Sequence, residues 1–295
     1  MKSLRKVGIE TGALTDEELR YLDARVVETV RPRLVGRQLF PVFRLPHAGI
    51  KTMRGWRESD MSQAVIDMNG QTESFDRIEL AEFNIDVPVI SKGFYLNWRD
   101  VIASRNGGIP IDARSIENAS RQCAEEEDKL LITGEITGTA NVWPALGILG
   151  LLRSAGNTEG SAGAWPANCL VDISDAIAEL EADGHLGPYA AVLRSEWYGT
   201  LRQLIAGTAV FYLEKVKELV TAGIYVSDSL FTAAGLTTSA LVVEPSAENF
   251  ELVIGQDMST FTQQDKNMNT VGKVYEVVAP RIKRPASICE ITALT

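Results

Sequence analysis

The run Ala240-Leu-Val-Val-Glu-Pro245, followed by Asn249-Phe-Glu-Leu-Val-Ile-Gly-Gln-Asp-Met-Ser259, restricts this chain more than any other stretch of its sequence. Its apolar pieces are short, rich in Val, Ile and Phe, and bounded by Pro245 and Gly255. Runs of this kind read as two buried strands joined by a short polar turn, since a helix would need a longer segment with a 3.6-residue repeat. Nothing in the stretch offers catalytic chemistry, so it speaks for architecture.

At 295 residues the chain makes one large domain or two smaller ones, and 45% hydrophobic with 23% charged residues is ordinary for a globular protein. The longest apolar run, Ala145 to Leu152, contains two glycines and falls far short of the roughly 20 residues of a membrane-spanning helix. The basic start Met1-Lys-Ser-Leu-Arg-Lys6 is followed by no apolar segment, so no signal peptide and a cytoplasmic location are expected. Cys123, Cys169 and Cys289 are odd in number and far apart, the pattern of reduced core thiols. Residues 1–57 hold twelve basic and six acidic side chains, the remainder 17 and 33, so a basic start precedes an acidic body. The basic residues are scattered and no aromatics interleave with them, which favours solvated faces and intersubunit ion pairs over nucleic-acid binding.

Thr15-Asp-Glu-Glu18 has the spacing of a capping box. The helix it predicts carries Leu19, Leu22, Val26, Val27 and Val30 on one stripe, with Pro32 inside the pattern and Gly36 as a stop. That stripe either packs on the chain's own core or forms an apolar seam for a peptide. From Leu45 to Arg77 the chain is polar, with strand-like pieces around Trp56 and a hairpin signal at Asn69-Gly70. Apolar positions then alternate through Ile78, Leu80, Phe83, Ile85, Val87 and Val89, with a parity shift after Leu80 that a bulge or a change of buried face would explain. A second helix is expected from Ile111 to about Thr133, stopped by Gly134. Its Glu125-Glu-Glu-Asp128 run points in different directions around a helix and reads as a solvated or ion-paired face. Residues 153–168 read as a loop, Asp172–Ala182 as a helix, Gly187–Leu193 as a strand, Ser195–Ile205 and Phe211–Ala222 as helices, and Ile224–Val226 and parts of Val271–Ile291 as strands. The chain leaves one β layer and returns to it, so two discontinuous lobes are expected.

Compact catalytic motifs are absent: no Gly-x-Ser-x-Gly elbow, phosphate loop, dinucleotide fingerprint or Cys-x-x-Cys. His47 and His185 have no ligand-type residue at metal spacing and read as exposed turn residues.

Several pieces, in this order, resemble the encapsulin shell proteins, the linocin-like bacteriocin family. They are Leu14-Thr-Asp with its amphipathic helix, Leu34-Val-Gly36-Arg37, Glu127-Asp128 on a long helix, Gly147-Ile-Leu-Gly-Leu151, Gly187-Pro-Tyr189, Leu213-Glu-Lys215, and Phe250 to Gly255-Gln-Asp257 with Ser259. The resemblance implies an α+β, HK97-type capsid fold. Residues 1–44 would be an N-terminal helix and arm and 45–80 an extended loop reaching over a neighbour. A peripheral domain with a long spine helix and a sheet would take 81–140 and 256–295, and an axial α/β domain 141–255. It further implies a non-enzymatic homo-oligomer: an icosahedral shell enclosing cargo enzymes through a docked terminal targeting peptide. Leu19, Leu22, Val26, Val30 and Leu34 would form one wall of the dock, with Phe250 and Leu252 nearby as the other. Ala206, Gly207, Thr208, Ala209 and Val210 would line a five-fold opening. No cofactor is required, although some members hold a flavin on an aromatic for which Trp98 is the matching position. The shared fold leaves a viral major capsid protein, packaging DNA in a virion, as the rival reading, and an unrelated soluble enzyme as the third.

Overall fold

The computed structural model describes residues 14–30, 35–58, 61, 62, 64, 66, 68, 77–107, 113–134, 148–227 and 240–294. Helix α1 (Asp16–Val30) opens with the expected capping box: the Thr15 N–H donates to Glu18 Oε2 at 2.7 Å and the Glu18 N–H to Thr15 Oγ1 at 3.3 Å. A short helix α2 (Gly36–Leu39) and strand β1 (Val42–Arg44) follow. Gly36 therefore starts a helix and does not stop one. A Cβ there would lie 2.5 Å from Leu131 Cδ1, so the residue is small to let α2 sit on the long helix behind it.

Strands β2 (Thr52–Glu58) and β3 (Leu80–Asp86) pair antiparallel as a two-stranded arm with unbroken register from Thr52–Asp86 to Glu58–Leu80. The Asn69-Gly70 turn lies outside the described residues. No bulge interrupts β3, so the parity shift is a change of face. Ile78 and Leu80 are exposed on the arm, whereas Ile85 and Val87 bury themselves with Val277 and Ala279 at its root.

Strand β4 (Val89–Leu96) leads into helix α3 (Trp98–Gly107), which periodicity did not reveal. Its signal was local: Asn97 caps it, accepting from the Arg99 N–H at 2.9 Å. Helix α4 (Arg114–Ile132) is the expected long helix, 19 residues or about 28 Å, and the Gly134 that ends it has φ +77°. Beyond it come β5 (Asn157–Gly160), α5 (Cys169–Ala182), β6 (Ala190–Leu193), α6 (Ser195–Thr200), α7 (Tyr212–Leu219), β7 (Gly223–Val226), β8 (Ala240–Val243), β9 (Phe250–Gln264), β10 (Thr270–Ile282) and β11 (Ile288–Thr292). β5 lies where a loop was expected. It is an edge strand of Asn, Thr, Glu and Gly, without apolar patterning, held in parallel register by β11. α6 ends at Thr200, earlier than expected, because Gln203 to Phe211 turn back on themselves.

Two sheets organise the chain, ordered β1-β9-β10-β4 and β5-β11-β8-β6-β7. The two strands read from the opening motif are both present but belong to different sheets. β8 lies in the second, β9 in the first, and β9 runs through Gly255 to Gln264. The expected boundaries shift accordingly. Residues 250–255 belong with the sheet under α4 and 288–292 with the other sheet, so the chain crosses between lobes at 244–249 and again at 283–287. β1 joins β9, so residues 42–44 are part of that first sheet rather than a separate arm.

The second sheet is buried on both faces. Val192, Leu241, Val243 and Ile288 face a core shared with Leu130, Leu131, Phe40, Phe250 and Leu252. Ala191, Leu193, Val242, Cys289 and Ile291 face α5 and α7 through Ile173, Leu180 and Val216. Two-sided burial is why β6 and β8 read as continuous apolar runs. The shared core joins the lobes, with Phe40 edge-on to Phe250 at 4.9 Å between ring centres. All three cysteines are buried free thiols.

Gly134 and Gly150 touch backbone to backbone where α4 ends, beside a Leu151 N–H that donates to Leu131 O at 3.0 Å. Gly134→Ala adds a Cβ where the backbone of 148–150 already lies, at a positive φ. We expect a loss of about 2 kcal/mol or more in stability, read as a fall in the midpoint of urea unfolding.

Candidate assembly and docking surfaces

A third core cluster fixes α1. Leu22 and Val26 are 0% and 1% exposed, packed with Phe94, Leu96, Val101, Ile116, Ala119, Cys123 and Val274. Glu18 holds the same helix from its other end. Besides capping, it takes two hydrogen bonds from the Arg105 guanidinium of α3, at 2.8 and 2.7 Å. That hydrogen bond, with the capping N–H, lowers the Glu18 carboxyl to about 2 against the opposing effect of burial. On the outer face, Arg25 lies over the Tyr21 ring and pairs with Glu28 at 2.9 Å.

The stripe expected to form an open seam is thus spent on the chain's own core at Leu22 and Val26. Leu19 is half-buried. The Val30 side chain and Leu34 lie outside the described residues. Phe250 and Leu252, expected as the facing wall, are fully buried in the shared core of the two lobes. α1 meets β9 further along, where Thr260 Oγ1 donates to Asp23 and Met258 packs against the α1 cluster. Sequence periodicity gives the apolar face of a helix but not what covers it; here the chain's own clusters cover Leu22, Val26, Phe250 and Leu252.

The Ala206–Val210 loop projects between α6 and α7. It is closed by Ile205 N–H to Val210 O at 2.9 Å and Thr208 N–H to Ile205 O at 3.0 Å, with Gly207 at φ +79°. Its residues are uncharged and four of the five are exposed, with Leu204 and Phe211 exposed at its base. Trp98 is half-buried at the start of α3, its backbone N–H donating to Asn269 Oδ1 at 3.2 Å. The arm displays Met61, Ile66, Met68, Ile78 and Leu80 to solvent.

The acidic run on α4 divides. Glu125 is exposed, but Glu127 and Asp128 face inward. Arg37 of α2 meets Glu127 at 2.8 and 3.2 Å, Glu276 of β10 at 3.0 Å and Asp257 of β9 at 3.1 Å, and Arg44 of β1 meets Asp257 at 2.6 Å. Asp128 receives the N–H groups of Gly36 and Val35 at 2.9 and 3.2 Å. Burial pushes its carboxyl up to about 7 despite those bonds. His185, expected at the surface, is buried: its ring nitrogen lies 2.7 Å from Glu244 Oε2, which Asn249 Nδ2 also reaches at 2.8 Å. A Gly-flanked turn hides its burial from sequence. Among the described residues no group of three or more His, Cys, Asp and Glu is placed to hold a metal ion, and no helix is long and apolar enough to cross a membrane.

A family profile described as Linocin_M18, encapsulating protein for peroxidase, matches residues 9–279. The chain belongs to this encapsulin family. It is 30% identical over 287 residues to the type 1 encapsulin shell protein EncA of Myxococcus xanthus, covering 97% of this chain and 96% of that protein. It is 26% identical to a diheme-cytochrome-encapsulin shell fusion protein of Kuenenia stuttgartiensis, covering 94% of this chain and 73% of the fusion. Among solved structures, the virus-like particle from Pyrococcus furiosus superposes with a TM-score of 0.69 at 18% identity, covering 94% and 98% of the two chains. The capsid of Myoviridae phage XM1 does so at 0.65 and 14% identity, covering 88% and 90%. The fold is therefore the α+β fold of HK97-type capsid proteins. In its terms α4 is the spine helix, β2–β3 the extended arm, and the second sheet with α5–α7 the axial lobe.

Because Val26 is core, we expect Val26→Asp to abolish soluble folded protein rather than to yield intact particles that fail to load. Leu22→Ala should cost about 2–5 kcal/mol of stability, measured by chemical denaturation. Arg105→Ala removes the second anchor of α1 and should speed limited proteolysis within residues 16–30, leaving the rest of the digest unchanged.

Proposed function

We propose that this encapsulin-family chain is the self-assembling subunit of an icosahedral shell, and that the shell encloses cargo enzymes recruited through a terminal peptide. The observation that carries the reading is the arm. A two-stranded ribbon is marginal alone. Among its described residues this one buries its root and leaves Met61, Ile66, Met68, Ile78 and Leu80 in solvent. Such a surface needs a neighbour, and heterologous contacts that close by rotation build rings and shells. Family membership from 9 to 279 supports the same conclusion. The likeness to phage capsids is one of fold alone, whereas the likeness to a shell protein extends to sequence, so we favour the compartment over a DNA-packaging virion.

In this reading the chain is structural and not an enzyme. Its free, buried thiols suit a reducing cytoplasm. The cargo tail docks beside α1 on surface that Leu22 and Val26 do not provide: half-buried Leu19 and exposed Tyr21 are the described candidates, with Val30 and Leu34 adjoining in sequence. The 206–210 loop lines a symmetry-axis opening and, being uncharged, gives little electrostatic selectivity. Trp98 offers a flavin a partly open indole as a stacking surface. Flavin absorbance that co-purifies with the shell and is lost in Trp98→Ala is the check on that assignment.

The assembly itself is tested by purifying the chain alone at moderate salt. Hollow particles of uniform size by light scattering and negative-stain microscopy are expected, and a monodisperse monomer would overturn the reading. Removing residues 59–79 and closing β2 to β3 with a short turn should abolish particles while preserving the subunit's circular dichroism, because the root of the arm and all three helical cores remain.

A further inference from the structure

The packing around Arg37 brings more negative charge into the interior than it balances. Glu127 and Glu276 are both 0% exposed, and one guanidinium serves them both. Asp257 is provided for separately, since Arg44 reaches it at 2.6 Å and it is partly exposed. Asp128, next to Glu127, is buried with two backbone N–H groups and, among the described residues, no cation on its oxygens. Glu276 Oε1 has no hydrogen-bond partner among the described residues although it is shielded from water. With every carboxyl ionised, the group Arg37, Glu127, Glu276 and Asp128 would hold two uncompensated negative charges, a state that buried surroundings oppose strongly. A proton on Glu276 removes one of them and gives the vacant oxygen a role.

We propose that this cluster is a proton-held clasp: while Glu276 holds a proton, α2 is clamped to α4 and β10, and loss of that proton releases α2. The segment it would free is well placed to matter. α2 lies between α1 and β1 in the chain, and β1 is the edge strand beside the root of the arm. Neighbouring groups on every packed element bear on the clasp: Arg37 from α2, Cys123, Glu127 and Asp128 from α4, Asp257 from β9, Arg44 from β1, and Lys92 of β4 beside Cys123. Among the described residues the two cations that touch carboxylates here, Arg37 and Arg44, are already engaged. Burial, and then the proximity of Glu127, raise the Glu276 carboxyl well above its ordinary value, in the same direction as Asp128. Groups shifted up in this way bind protons more tightly when folded. The stability they confer is complete below the ordinary carboxylate range and is lost as pH rises through the folded value, which for Asp128 is about 7. The clasp therefore opens on the alkaline side and not in acid.

Hydrogen–deuterium exchange of residues 35–44 across neutral to alkaline pH, corrected for intrinsic exchange, tests this. In the wild type, protection of this segment should fall as pH rises while that of α5 stays constant. In Glu276→Gln, which keeps the shape and carries no charge, the fall should move up by about one pH unit or more. An unchanged midpoint in Glu276→Gln, or equal loss of protection in α5, would overturn the clasp. If Glu276→Gln does not fold, infrared spectra of the wild type with isotope-labelled glutamate decide. A protonated-carboxyl band present at neutral pH should vanish with the same midpoint as the exchange, and its absence at neutral pH refutes the proton on Glu276. The exchange measurement reads one segment of the chain and the infrared band reads carboxyl protonation, so both stand whatever the particle size proves to be.

Discussion

One guanidinium, that of Arg37, connects four elements from three separate stretches of the chain. It ties α2 to α4 through Glu127, to β10 through Glu276 and to β9 through Asp257, and Asp257 hands the connection on to β1 through Arg44. Replacing such a cluster by apolar side chains is often no worse for stability, because desolvating the charges costs as much as their attraction returns. What an arginine fork adds is geometry. It accepts carboxylates only from certain directions, so it fixes how α2 crosses the spine helix and hence where β1 enters the sheet. The close seat of Gly36 on Leu131 serves the same placement by steric means.

The two lobes are bound by covalent crossings and by a common core. Because β9 and β10 stay in the sheet under α4 while β8 and β11 stay in the axial sheet, each crossing carries apolar residues directly from one sheet to the other. Val243 and Phe250, on either side of the crossing at 244–249, lie in the same cluster, as do Ile282 and Ile288 around that at 283–287. The polar groups exposed by the crossings are satisfied locally: Asn249 bonds the Glu244 carbonyl and carboxylate, and its own carbonyl takes the N–H groups of Lys283 and Arg284. A junction built this way resists hinge motion, which suits a subunit that must present fixed edges to its neighbours. The arm has the opposite character. Its root is core, and farther out Met61, Ile66, Met68, Ile78 and Leu80 stand exposed to solvent.

Much of this was legible from the sequence, and each success has a short-range cause. The capping box predicted α1 because Thr15 and Glu18 satisfy each other's backbone N–H groups without help from the rest of the chain. Gly134 marked the end of α4 because the chain takes a positive φ there, and the buried runs at Ala240 and Phe250 read as strands because β-branched and aromatic residues suit a packed sheet. The order of short motifs pointed to the family. What the sequence could not settle was long-range: that β8 and β9 part into different sheets, that Asn157–Gly160 becomes a strand only because β11 offers it an edge, that Leu22 and Val26 face α4 and not an open groove, and that Glu127, Glu276 and Asp128 collect around α2. Residues three or four apart on one helix report on each other through fixed spacing. Residues 90 or 239 positions apart, like the partners of Arg37, meet only when the whole chain has folded, and no local pattern encodes that meeting.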